Sequence, residues 1–213
     1  LPYNNVHHSI KILDKEYKDI SCIIVEPIMG SLPNEDCKKY LQFLRLYCNK
    51  KKIILIFDEC TSGYRENLGG LHLKFKVNPD IAIFGKALGS GYAINAVIGK
   101  KKVMKKAENT FISSTFWGER IGYTAALSTI NEYTRNNVFA KVKSNGKNLK
   151  KIWSDLSKKY NIPIKIMGSD AIPSFEFFKN HQERKTFLTQ EMLKNKILAT
   201  NLVYITVYHD MKN

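Results

Sequence analysis

The chain has 213 residues, is 44% hydrophobic and 25% charged, and carries 34 Lys+Arg against 19 Asp+Glu for a formal net charge of +15. That length and balance suit a globular chain of one or two domains and exclude a disordered one, and no apolar run approaches the ~20 residues of a membrane-spanning helix. The charge admits a nucleic-acid partner, but the lysines are scattered in short clusters (50–52, 100–102, 147–151) with no nucleic-acid motif, so neither nucleic acid nor membrane is expected as a partner. Cys22, Cys37, Cys48 and Cys60 lack metal-ligand spacing and read as reduced thiols of a cytoplasmic protein.

Residues 1–19 are polar, and Pro2 to Asn5 reads as a loop. His7 and His8 are adjacent, so they diverge on any regular element, which speaks against a shared metal. Residues 20–25 read as a strand stopped by Pro27, with a loop over 28–33. A helix is expected from Asn34 or Glu35 through Leu46, on the helical spacing of Tyr40, Leu41, Leu44 and Tyr47. Residues 53–57 form a second apolar strand, which completes a right-handed strand–helix–strand unit of a parallel sheet. A Gly-rich loop is expected over 61–76, then a strand over 81–85.

The next strand, 93–98, returns too soon for a parallel crossover and is expected to be antiparallel. A short basic helix over 101–107 and an extended stretch over 111–116 follow. Residues 119–159 read as helix-rich, with Ala125, Ala126 and Ser128 suited to close packing on another helix. After Tyr160 the pattern becomes strands at 162–166 and 174–178, a helix at 183–194 and a strand at 202–207. The fold expected is α/β. A mostly parallel central sheet with helices on both faces spans 1–140, and a small α+β domain spans 141–213.

Two stretches carry chemistry. The apolar run Ile81 to Phe84 ends in Gly85-Lys86, with further glycines at 89 and 91. In open α/β sheets ligands bind beyond the carboxyl ends of the strands, and a lysine partly withdrawn from water there can act as a nucleophile toward a carbonyl. The run Ile53 to Phe57 ends in Asp58-Glu59. Asp58 by itself reads as a helix cap or turn acid. With Lys86 delivered to the same crevice, the pair suits pyridoxal phosphate, whose aldehyde takes a lysine and whose ring nitrogen takes a carboxylate.

Phe57-Asp58-Glu59-Cys60-Thr61-Ser62-Gly63-Tyr64-Arg65, then Pro79-Asp80, then Gly85-Lys86-Ala87-Leu88-Gly89-Ser90-Gly91 resemble the signature of class III, fold-type-I pyridoxal-phosphate aminotransferases. The branch near glutamate-1-semialdehyde aminomutase, which also closes the first block with arginine, is the most similar. Ile24-Val25-Glu26-Pro27, Ser114 to Gly118 and Ile197 to Asn201 agree.

The resemblance implies roles for individual residues. Lys86 forms the internal aldimine and shuttles the proton between substrate and cofactor. Asp58 pairs the ring nitrogen. Cys60 stands at a usually aliphatic position against the ring, and Thr115 reaches the cofactor phosphate of a neighbouring subunit. Glu59 matches a family acid or serves a structural ion pair, while Ser90 and Gly91 shape the turn. A homodimer is implied, with a small-molecule amino donor and a carbonyl acceptor. The family pattern also has an N-terminal part, with the phosphate cup and the ring-stacking aromatic, and a closing C-terminal helix that these residues lack. A truncated relative is therefore expected, and a silent binding or oligomerisation module or a basic nucleic-acid-binding protein are the alternatives.

Overall fold

In a computed structural model of the protein, residues 1–29, 37–116 and 118–209 are described. Thus the expected helix start at Asn34 or Glu35 and most of the 28–33 loop lie outside the described residues. The described chain divides into two compact units, residues 1–29 with 37–136 and residues 137–209.

The first unit opens on a helix that the polar composition conceals, α1 (Val6–Glu16). Asn5 caps it, its side-chain oxygen accepting from the His8 N–H at 2.9 Å, which satisfies one of the donors a helix start leaves unpaired. Strand β1 (Cys22–Val25) follows, then α2 (Cys37–Lys51) and β2 (Ile54–Asp58). Lys50 and Lys51 close α2 where cations complement the helix dipole. Next, within the stretch expected to be loop, comes the short helix α3 (Leu71–Phe75). Strand β3 (Ile81–Phe84) leads into a 3-10 turn at Lys86–Leu88, then into β4 (Ala96–Gly99) and α4 (Lys101–Met104). Residues 111–116 take no regular structure. α5 (Arg120–Arg135) ends the unit.

The sheet order is β1-β2-β3-β4. β1–β2 and β2–β3 pair parallel, and β3–β4 pairs antiparallel as the short connection requires. Register aligns Val25 with Phe57 and Phe57 with Ala82, so Ile23, Leu55, Phe57, Ala82 and Phe84 share one face. α1 and α2 cover it with Leu13, Tyr40, Leu41 and Leu44, all buried. Each such side chain contributes about 1.5–3 kcal/mol on burial. Further along the same face, Ala126 of α5 packs on Ala82, Phe84 and Leu88. Ala126 thus serves close approach to a strand and its following turn, while Ser128 is exposed. The opposite face carries Ile24, Ile56, Ile83 and Val97, where Ile24 is 59% and Val97 52% exposed. Of the helical cover expected on both faces, the described residues supply one.

The second unit contains α6 (Val138–Lys159), the hairpin β5 (Ile164–Gly168) and β6 (Pro173–Phe177), and α7 (His181–Lys194). The hairpin is antiparallel, with Ile166 opposite Phe175. The segment expected as a last strand contributes one bridge, Leu202 to Ser174, and isolated hydrogen bonds from Val203 and Ile205 to Pro173 and Ala171. Trp153 meets Phe175 edge-on at 4.9 Å. A cavity of about 780 Å³ lies between Trp153, Ile162, Phe177, Phe187 and Leu188. Gly146 lets α6 run against the Asp170 carbonyl, a place a Cβ would fill. No helix among the described residues is long and apolar enough to cross a membrane.

Candidate functional site at the carboxyl ends of the parallel strands

β1, β2 and β3 run parallel, so their carboxyl ends open on one side of the sheet. Glu26 follows β1, Asp58 ends β2, and Lys86 lies two residues beyond β3. The charges of Asp58 and Lys86 both act on Glu26 and on Cys60. The structure therefore gathers Glu26, Asp58, Cys60 and Lys86 into one cluster.

Lys86 takes a left-handed backbone, as Lys52, Lys76 and several other described residues also do. Its φ is +46°, a left-handed conformation that strains a side chain with a Cβ and that concentrates at functional sites. Just before it, a Cβ on Gly85 would run into the Asn95 side-chain oxygen and touch the Cys60 sulfur. Ser90 and Gly91, with φ of +46° and +106°, complete the turn. The Lys86 Nζ donates to Thr61 Oγ1 at 2.6 Å. Lys86 is exposed in this chain, so the partial withdrawal from water expected for it is not supplied by these residues.

Asp58 Oδ1 accepts the Cys60 N–H at 3.0 Å. Burial pushes the Cys60 thiol up, and its hydrogen bond to Asp58 adds to this while Lys86 opposes it. Cys60 is thus a protonated, weakly polar contact and not a thiolate nucleophile. Burial likewise raises the Glu26 carboxyl, helped by the Asp58 charge and opposed by Lys86.

Glu59 points away from this chemistry. It is fully buried and accepts four hydrogen bonds: Ser62 Oγ at 2.5 Å, Leu71 N at 2.9 Å, His72 N at 2.9 Å and His72 Nδ1 at 3.0 Å. Burial alone would raise this carboxyl. The bonds from the His72 ring, Ser62 and the two main-chain N–H groups outweigh it and hold the carboxyl below its ordinary range. Glu59 therefore caps α3 and ties the glycine-rich loop to the end of β2. Arg65 serves the same loop, its Nε donating to the Thr61 carbonyl at 2.7 Å.

Asp80 is also architectural. It accepts from Leu55 N, Arg45 and Lys100, each at 2.8 Å, and so stitches β2, α2 and β4 together before β3 begins. Thr115 lies on an exposed turn, and no hydrogen bond among the described residues joins it to the Lys86 cluster. Trp117 lies outside the described residues. The sequence reading missed Glu26 and Thr61 as site residues. Glu26 carried the same signal as Asp58, an acid at the end of a buried parallel strand, whereas Thr61 is identified only by its contact.

An open α/β sheet with an amine and a carboxylate at adjacent parallel strand ends defines the class of architecture. The particular family follows from comparison. The model of the class-III aminotransferases matches residues 3–205, and the chain belongs to that family. The chain is 32% identical over 193 residues to the glutamate-1-semialdehyde 2,1-aminomutase of Methanococcus maripaludis, covering 88% of this chain and 44% of the relative. It is 33% identical over 211 residues to the 3-aminobutyryl-CoA aminotransferase of Cloacimonas acidaminovorans, covering 97% and 50%. Among solved structures it superposes on the PLP internal aldimine form of the FumI protein of Sphingopyxis sp. MTA144 with a TM-score of 0.89 at 19% identity, covering 99% of this chain and 52% of that one. The chain spans about half the length of the curated relatives it matches.

Proposed function

We propose that the protein to which this chain belongs is a pyridoxal-phosphate-dependent amino-group transferase. It acts as an aminotransferase or a 2,1-aminomutase, and Lys86 and Asp58 hold the cofactor. The observation that carries this reading is that neighbouring parallel strands deliver both residues to one opening of the sheet in a class-III chain. The donor set fits the group: a primary amine for an aldehyde carbon, and on the adjacent strand a carboxylate for a ring nitrogen. When bound, pyridoxal phosphate supplies an electrophilic carbon and a ring that withdraws electrons from the substrate Cα.

The rest falls to the chain's own groups. Lys86 Nζ attaches the cofactor and carries the proton to and from the substrate Cα. Thr61 Oγ1 accepts from that amine and orients it. Asp58 holds a proton on the ring nitrogen, itself positioned by the Cys60 N–H. Cys60 packs beside the ring as a small apolar surface. The exposed Thr115 serves the phosphate of a second subunit in a homodimer. Substrates are a small amino compound and a carbonyl acceptor, and of the two relatives named above one is an aminomutase and the other an aminotransferase.

The test is incubation with pyridoxal phosphate, borohydride reduction and peptide mapping. Pyridoxyl label is expected on Lys86. Label on a different lysine, with Lys86 unmodified, overturns the assignment.

A further inference from the structure

Glu26 ends the first parallel strand as Asp58 ends the second. The pairing of Val25 with Phe57 sets the two acids side by side, and strand alternation turns both toward the less covered face of the sheet. They are not equivalent. Asp58 Oδ1 accepts from the Cys60 N–H at 3.0 Å. Among the described residues no hydrogen bond reaches the Glu26 carboxyl, while its main-chain oxygen takes the Tyr3 hydroxyl at 3.2 Å. Among the described residues, the charge of Lys86 and the thiol of Cys60, from the neighbouring turns, also interact with it. Burial and the Asp58 charge both raise the Glu26 carboxyl. Two adjacent carboxyl groups resist losing both protons, and environment decides which one keeps its proton.

We propose that Glu26 is a positioning residue for Asp58: it keeps the proton of the pair, so that Asp58 is the anion presented at the site and stays seated on the Cys60 N–H. This deepens the cofactor reading and rests on it for its functional consequence. The placement of the proton stands independently.

The first experiment needs no cofactor. Carbon-13 NMR follows the carboxyl signals of Glu26 and Asp58 against pH in the unmodified chain, E26Q and D58N. The proposal expects an asymmetric response. Removing the Asp58 charge in D58N lowers the Glu26 midpoint by about 0.5 pH unit or more, whereas E26Q shifts the Asp58 midpoint by less than about 0.3. The reverse asymmetry, or a Glu26 midpoint indifferent to D58N, overturns the proposal.

The second experiment adds pyridoxal phosphate and quantifies borohydride label at Lys86. E26A is expected to lower it about threefold, the scale of one polar contact, and E26Q, which keeps the shape and the neutral charge, to restore it. Equal loss in E26Q and E26A overturns the proposal, because a carboxylate charge is then what the site needs. Absence of Lys86 label in the unmodified chain overturns the cofactor reading instead and leaves the NMR asymmetry to decide where the proton sits.

Discussion

Replacing Glu59 with alanine should destabilise the first unit severely while leaving the Lys86 amine and Asp58 in the sequence untouched. The carboxylate is fully buried and accepts four bonds, two on each oxygen. Its removal leaves the Leu71 and His72 N–H groups unpaired, together with the Ser62 hydroxyl and the His72 ring. Each buried orphan costs about 1–3 kcal/mol. The hydroxyl and the ring can turn to water, and the cost of burying the carboxylate itself is relieved. The net loss is expected at about 3–5 kcal/mol, the range for breaking a buried charged network by removing one partner.

Against a whole-domain stability of about 5–15 kcal/mol, that is a large fraction. With a urea slope of about 2 kcal/mol/M it moves the midpoint down by about 1.5–2.5 M. Glu59→Gln should cost about 2–3 kcal/mol, because its amide nitrogen must face a donor on one side. The sign with pH follows from the depressed carboxyl. Its contribution is present above the ordinary glutamate value of 4.5 and is lost as pH falls through the lower folded value. Urea titration followed by far-UV circular dichroism at pH 7 and near pH 3 measures both effects. A midpoint shift below about 0.3 M at pH 7, or an equal loss at both pH values, would refute the reasoning.

Three further outcomes are expected. Asp58→Asn in the cofactor-loaded protein should lose amino-transfer rate far more than cofactor content, since a charged hydrogen bond is worth about 1.5–3 kcal/mol; near-normal turnover contradicts the role given to Asp58. Asp80→Asn should lower the thermal midpoint: burial works against the Asp80 anion, but Leu55 N, Lys100 and Arg45 together hold its carboxyl below 3.8, so the difference from the unmodified chain should vanish as pH falls below that value. The 213-residue chain should elute above its monomer mass of 24.5 kDa, because the exposed Ile24 and Val97 face and the β1 edge invite association. At physiological salt a screening length of ~8 Å removes most of the opposition from the charge of +15. Light scattering on the eluate showing a sharp monomer would contradict this.

Local pattern was enough for the skeleton of the site. Ile53 to Phe57 and Ile81 to Phe84 are short apolar runs ending in an acid and in Gly-Lys, and such runs are legible because a strand buried in a parallel sheet has no polar neighbours to alternate with. The antiparallel β4 was legible for a similar reason, since too few residues separate it from β3 for a crossover. The placement of Asp58 and Lys86 at the ends of these two strands was therefore readable from the runs themselves. α1 reads as polar although Val6 and Leu13 stand two helical turns apart and both pack on the core, with the buried Ser9 between them, whose hydroxyl meets the Tyr40 hydroxyl at 3.1 Å.

Glu59 and Glu26 show the limit most clearly. Both are acids at the carboxyl ends of parallel strands, and nothing in their immediate neighbours separates their roles. Tertiary structure separates them, because a carboxyl group takes its character from the donors and charges around it. Glu59 turns inward and finds donors 12 and 13 residues away on α3. Glu26 turns toward Asp58, to which only the parallel register of β1 and β2 brings it. The order of residues determined which groups stand at the strand ends, and the packing decided which of them anchors the loop and which faces the chemistry.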